Sequence, residues 1–231
     1  MKKVLLIFLF FYTHCLQSQD CKYFLPFQVG KGVQYQTYNS RGKITGTVDY
    51  IIDSIASVDS LSIAFIKYLS LDLKGNEISV MEFKYKCNGT ELRIDPISMI
   101  SPELIEPYRD MDIQIDNEEL IVPSLLTINQ KLKDAACNIK IFEESRKLAE
   151  MNFKCQGRKI ISLDSITTPL GVYPCYRISC ETSLTVTTSM VPYIVEMNVN
   201  EFFSEGTGII RIENFDRKGK LLGYSLLNKI Y

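Results

Sequence analysis

Tryptophan is absent from this chain, and histidine occurs once, at position 14. That imidazole sits in "YTHCLQSQDC", residues 12–21, directly behind "MKKVLLIFLFF". Lys2 and Lys3 followed by an unbroken apolar run from Val4 to Tyr12 form the pattern of a secretory signal peptide. A membrane-crossing helix needs about 20 apolar residues, whereas this run ends at Thr13 with no stop-transfer charges behind it. Cleavage is expected after Leu16-Gln17-Ser18, making residues 1–18 the leader, with a cut after Cys15 as the alternative. Either cut removes His14 and Cys15, so the mature protein is expected to contain no histidine.

That loss excludes whole mechanisms. A Ser-His-Asp or Cys-His nucleophile needs an imidazole to take its proton. Zinc sites use histidine or closely spaced cysteine pairs, and no C-x-x-C occurs. Carboxylate pairs or a lysine-activated serine are not excluded, but the abundance of Asp, Glu, Lys and Ser is what any solvated surface shows. No catalytic, cofactor-binding or metal-ligating residue is assigned, and the chain is expected not to be an enzyme. Excess charge of either sign is also lacking: the formal net charge is -1. Without a basic patch there is no field to steer nucleic acid or an anionic membrane.

Lipidation of a leading cysteine would require a small residue before it, but His14 precedes Cys15 and Asp20 precedes Cys21. The mature chain is therefore expected to be periplasmic or secreted, neither lipid-anchored nor transmembrane. Its roughly 210 residues suffice for a single domain over 19–231, or for two lobes of about 19–125 and 126–231 with a shared core.

Six cysteines remain after cleavage, an even number in an exported chain. Counting leaves 15 pairings open, and strand parity narrows them. In "ACNIKIF" and "MNFKC", Cys137, Ile139 and Ile141 share one face, as do Met151, Phe153 and Cys155. A hairpin folded around residues 142–150 would set Cys137 opposite Cys155 and allow a cross-strand disulfide. In "VMEFKYKC", Met81, Phe83, Tyr85 and Cys87 share a face, which presents Cys87 to the core within reach of a segment starting at Cys21. Cys175 and Cys180 are five apart and should leave opposite faces of a strand, so they should not bridge each other.

Three glycine turns recur, "NSRGKITG", "DLKGNEIS" and "DRKGKLLG", each with Asn or Asp a few residues before a glycine. That pattern predicts hairpins with a left-handed glycine; a phosphate-binding loop would need G-x-x-x-x-G-K-[ST] and a following helix, and neither is present. Strands are expected at 32–38, 43–57, 61–72, 77–87, 91–95, a hairpin at 111–122, then 137–142, 150–155, 158–165, 172–188, 191–203, 207–215 and 220–230. Such spacing predicts an all-β protein of antiparallel strands in a curved sheet, a β-sandwich or an incompletely closed barrel. One short helix is expected in "SPELIEPYRDM", capped by Ser101 and limited by Pro107. The acidic stretch 110–119 is not a calcium loop, because Ile115 and Ile121 stand where glycine and glutamate are required.

"CKYFLPFQVGKGVQYQTYNSRGKITG", "TTPLGVYPCYRI" and "EGTGIIRIENFDRKGKLLGYSLL", in that order, resemble an exported bacterial family of unknown function, carried under a domain-of-unknown-function label or as the TapB family. The resemblance spans nearly the whole mature chain. It implies an all-β protein of the cell envelope, with a curved barrel like those of lipoprotein carriers, and transfers no catalytic residues. The family's cysteines near the mature start and after the fourth strand are matched by Cys21 and Cys87, adding to the case for that pair.

The expected function is binding of an apolar or lipid-like ligand on a concave sheet face, using residues from Tyr35, Tyr50, Phe65, Tyr68, Phe83, Tyr176 and Phe203. The alternative is a periplasmic or outer-membrane-associated module that meets an envelope protein through a sheet edge or through segments 101–110 and 142–150.

Overall fold

Three turns of one chemistry organise the hairpins. Asn39 Oδ1 accepts the backbone N–H groups of Arg41 and Lys43 at 2.9 and 3.0 Å. Asp72 Oδ1 does the same for Lys74 and Asn76, and Asp216 Oδ1 for Lys218 and Lys220. Each turn closes on a glycine at positive φ, Gly42 at +73°, Gly75 at +81° and Gly219 at +78°, where a side chain would be strained. The sequence motif and the turn coincide in all three.

The structure, a computed structural model, describes residues 21–188 and 192–231. The leader, its cleavage sites, His14 and Cys15 lie outside the described residues. The strands are β1 Gly32–Asn39, β2 Ile44–Val58, β3 Leu61–Leu71, β4 Glu77–Cys87, β5 Glu91–Ile94, β6 Asp112–Glu118 and β7 Leu120–Pro123. They continue as β8 Ala135–Glu143, β9 Arg146–Thr168, β10 Gly171–Thr187, β11 Tyr193–Ser204, β12 Gly208–Phe215 and β13 Leu221–Ile230. All belong to one antiparallel sheet, ordered β6-β8-β9-β10-β11-β12-β13-β1-β2-β3-β4-β5-β7, which curls into a nearly closed barrel.

The two edges of that sheet, β6 and β7, are separated in sequence by Glu119 alone. They do not form the hairpin expected over 111–122: β6 pairs with β8 and β7 with β5. One residue is too few for a hairpin loop, which needs at least two. The chain instead steps across the barrel seam at Glu119, whose carboxylate meets Lys86 Nζ at 2.7 Å on the β4 side. Asn117 on β6 donates to Asp95 beyond β5 at 3.0 Å, a second contact over the same gap.

The β8–β9 hairpin is tighter than expected. Glu144 and Ser145 both have positive φ, 47° and 70°, as a two-residue type I′ turn requires. The register is therefore Cys137 opposite Phe153 and Ala135 opposite Cys155, not Cys137 opposite Cys155. Cys137 and Cys155 are unbonded thiols, both buried, because the shortened turn moves them two positions out of register. Cys175 and Cys180 are also free and buried; they pack into different clusters, Cys175 with Tyr35 and Phe202, Cys180 with Phe153 and Val199.

The helix expected at Ser101 is built as successive 3-10 turns, Pro96–Met99, Pro102–Leu104 and Glu106–Tyr108. Pro102 opens one turn and Pro107 is second in the next, and neither can donate to a preceding turn. Ser101 does not cap the segment; its hydroxyl donates to Glu103 Oε2 at 2.7 Å. Ile97 and Ile100 are buried, and Leu104, Ile105 and Tyr108 pack on the same core. That core joins Ile52, Ile66 and Phe83 of β2–β4 to Ile139, Met151, Phe153 and Val199 of β8–β11, each side chain contributing about 1.5–3 kcal/mol by leaving water.

Residues 21–31 lie across one end of the barrel. Phe24, fully buried, belongs to one hydrophobic cluster with Leu92 and Val122 of β5 and β7 and Ile160, Ile178 and Phe203 of β9–β11. The segment is tied by Gly30 N–H to the Ile52 carbonyl at 2.8 Å, by Gly206 N–H to the Tyr23 carbonyl, and by a Cys21–Cys87 disulfide. The disulfide closes a loop of 66 residues, which in the chain-entropy account corresponds to about 4 kcal/mol. The Cys21→Ser/Cys87→Ser double variant is expected to lose stability of that order in urea unfolding, and the wild type to lose as much on reduction.

Candidate functional site

The barrel interior is not filled. A cavity of about 290 Å³ lies between β1–β5 and β9–β13, near the lower limit of roughly 300–1,000 Å³ for small-molecule sites. Its walls are aliphatic and aromatic, with Tyr35, Tyr50, Ile66, Tyr85, Met197 and Phe203 among them, and Leu25 and Pro26 of the N-terminal segment close one side. Tyr50, Tyr85 and Glu201 keep accessible surface although protein surrounds them, because that surface faces the cavity and not bulk solvent.

Among the described residues, two charged ones line this space, Arg158 and Glu201. Arg158 arrives there through a β-bulge. Met151, Phe153 and Cys155 alternate inward along β9, then Gly157 takes φ +64° and the next inward positions are Arg158 and Ile160, a spacing of three where a regular strand has two. Pairing with β10 slips at the same place, with Ser179 opposite Lys159 and Glu181 opposite Gln156. The bulge turns inward a side chain that a regular strand would send to solvent.

Arg158 is 2% exposed. Its Nη1 donates to the Ile121 carbonyl on β7 at 3.0 Å and to the Lys133 carbonyl at 2.9 Å, while Nε has no partner among the described residues. Hydrogen bonds from a charged donor contribute roughly 1.5–3 kcal/mol each; the one to Ile121 ties β9 to the edge strand β7 across the seam, and the one to Lys133 holds the segment leading into β8.

Glu201 occupies an inward position of β11, in line with Met197, Val199 and Phe203. Burial pushes its carboxyl above the usual range, and Arg158 opposes the rise less strongly. No direct ion pair joins the two among the described residues. The tyrosines around it are tied into one aromatic group: Tyr50 meets Tyr35, Tyr68 and Phe83 edge-on, with centroids 5.6, 5.3 and 5.9 Å away. Burial is also the main cause holding the Tyr35, Tyr50 and Tyr85 hydroxyls protonated, and Glu201 adds to it.

Of the aromatics read from sequence, Tyr35, Tyr50 and Phe203 line the cavity. Phe83 and Tyr68 belong to the main core and Tyr176 packs against the Phe24 cluster. Phe65 stacks under Lys84, 5.3 Å from its ring centre, outside these clusters. Arg158 and Glu201 were missed, though both left a trace: Gly157 breaks the alternation in "MNFKCQGRKII", and Glu201 is the lone acid on the inward parity of "MNVNEFF". The segments 101–110 and 142–150 do not carry an exposed apolar patch, since the first turns its apolar side chains inward and the second is a tight turn. Exposed apolar residues lie instead near the β9–β10 tip, at Leu163, Leu170 and Val172. Burial pushes the Cys137 thiol up to about 12 and the Cys175 thiol to about 11, so these two are poor nucleophiles.

The direction of the Glu201 shift has a consequence for stability. A carboxyl that holds its proton more tightly folded than unfolded costs nothing below its ordinary value near 4.5, and an increasing amount as pH rises through its folded value. Glu201→Gln, facing the same Arg158 and tyrosines, is expected to raise the urea midpoint near pH 7.5 and to leave it unchanged near pH 4.

No curated protein sequence matches this chain. Two solved structures share the fold. A candidate lipoprotein from Parabacteroides distasonis superposes with a TM-score of 0.70 at 20% identity, over 92% of this chain and 100% of its own. A candidate exported protein with a YmcC-like fold, from Bacteroides fragilis, does so with a TM-score of 0.69 at 17% identity, over 91% and 100%. The first neighbour's description means that the argument against lipidation, which rests on His14 and Asp20, gains no support from the comparison. Residues 28–227 match the DUF3108-like pattern, and the chain belongs to that family.

Proposed function

We propose that this protein is an exported, non-enzymatic binder that holds an apolar or lipid-like molecule inside its barrel. The observation that carries this reading is the cavity of about 290 Å³, walled by aliphatic and aromatic side chains in a core otherwise well packed. Unfilled apolar volume costs stability, since its lining forgoes contacts that a packed core would make. A ligand restores those contacts. The solved structures with this fold, described as a candidate lipoprotein and a candidate exported protein, support an envelope location. Among the described residues no helix is long and apolar enough to cross a membrane, and no three His, Cys, Asp or Glu side chains converge as a metal cage would require.

A second reading, a module that docks an envelope protein, is favoured by exposed Leu163, Leu170 and Val172 on the β9–β10 hairpin. It places the partner on the outer surface and leaves the cavity unused. The two readings separate in one titration. A neutral, environment-sensitive apolar dye is expected to bind the purified protein saturably at one site, and Met197→Trp, which puts an indole into the cavity wall, is expected to abolish binding while keeping the fold by circular dichroism. Replacing Leu163 and Val172 with Ser should leave dye binding unchanged; loss of binding there instead would place the dye on the outer surface.

A further inference from the structure

Three polar groups open into the cavity with their hydrogen bonds unmade. Tyr50 on β2 and Tyr85 on β4 both pack on Phe83, with ring centres 5.9 and 5.5 Å from its own, and both line the cavity. Each keeps surface open to that space, and neither hydroxyl has a hydrogen-bond partner among the described residues. Glu201 lines the same cavity from β11, also with surface open to it, and accepts no hydrogen bond among the described residues. Its carboxylate is near enough to act electrostatically on both hydroxyls. Tyr35 and Arg158 are already committed: the Tyr35 hydroxyl donates to the Ile209 carbonyl at 2.7 Å, and Arg158 Nη1 to the Ile121 and Lys133 carbonyls.

Two unmet donors beside one unmet acceptor are the complement of a single hydroxyl, which donates once and has two lone pairs to accept with. We infer that the cavity takes an uncharged single-chain amphiphile with an alcohol head, whose oxygen accepts from Tyr50 and Tyr85 and whose O–H donates to Glu201, with the tail along the aliphatic and aromatic wall. This rests on the lumen-binding reading above and names the class of its ligand. Charge favours a neutral head: Arg158 and Glu201, the one cation and the one acid among the described residues lining the cavity, balance each other. An ionised head would bring a further charge into the lumen with nothing to offset it, and a carboxylate would meet Glu201 as a like charge. An ether or a hydrocarbon end would leave the Glu201 carboxylate without a donor. A volume of about 290 Å³, at the small end of ligand cavities, has room for one short chain.

The test compares three ligands with one tail on the delipidated protein: 1-decanol, 1-methoxydecane and decanoate, each competing with the neutral dye. The alcohol is expected to displace the dye at a concentration about tenfold or more below the other two, although the ether is the more apolar, because only the alcohol donates to a carboxylate. Tyr50→Phe and Tyr85→Phe, both isosteric, are each expected to weaken 1-decanol about 3- to 10-fold while leaving the affinity of the dye unchanged. Glu201→Gln replaces a charged acceptor by a neutral one and is expected to narrow the gap between alcohol and ether about threefold or more. If 1-decanol and 1-methoxydecane compete equally in the wild type, water already serves these three groups, the alcohol head is overturned and lumen binding stands. Tighter competition by decanoate overturns it in favour of an anionic head. If the dye does not bind and no ligand does, the lumen-binding reading falls as well.

Discussion

The structure depends on how its sheet meets itself. A single residue, Glu119, carries the chain from one edge of the thirteen-stranded sheet to the other, so the two edges must stay side by side whatever else moves. Edge strands left open are templates for aggregation, and this chain covers its edges by apposition. Glu119 pairs with Lys86, Asn117 reaches Asp95, and Arg158 donates from the third strand of one edge to the Ile121 carbonyl on the other. The exposed pairs contribute little individually; the buried guanidinium contributes more, because losing its carbonyls would strand a charge in a low dielectric.

The same residue links the seam to the cavity. The Arg158 guanidinium holds the edge strand through Nη1, and the same residue lines the cavity. The bulge at Gly157 is what permits this, since without the extra residue Arg158 would take the outward parity of β9. Closure of the sheet and the polar lining of the cavity thereby share a side chain. The N-terminal segment completes the enclosure, with Phe24 plugged between the two halves and Cys21 joined to the end of β4.

Much of this was legible because short-range chemistry dictated it. The Asn39, Asp72 and Asp216 turns follow from a side-chain acceptor two residues ahead of backbone donors, with a glycine free to take positive φ. The alternation around Cys87 correctly placed its side chain on the core side of a strand end. Reading failed where geometry depends on partners distant in sequence. Residues 111–122 read as a hairpin because two alternating runs flank polar residues, yet their partners β8 and β5 pull β6 and β7 to opposite edges. The Cys137 and Cys155 alignment failed for a local reason, a two-residue turn formed by Glu144 and Ser145, which have no glycine to announce it.

By itself the sequence determined the all-β class and the positions of most strands, because these follow from composition and a period of two. Tertiary structure alone decided that the sheet closes on itself, that a cavity remains within it, and that Arg158 and Glu201 face the same enclosed space. Those outcomes depend on the register of thirteen strands summed around a barrel, where a slip of one residue exchanges inside for outside, and no single segment encodes that sum.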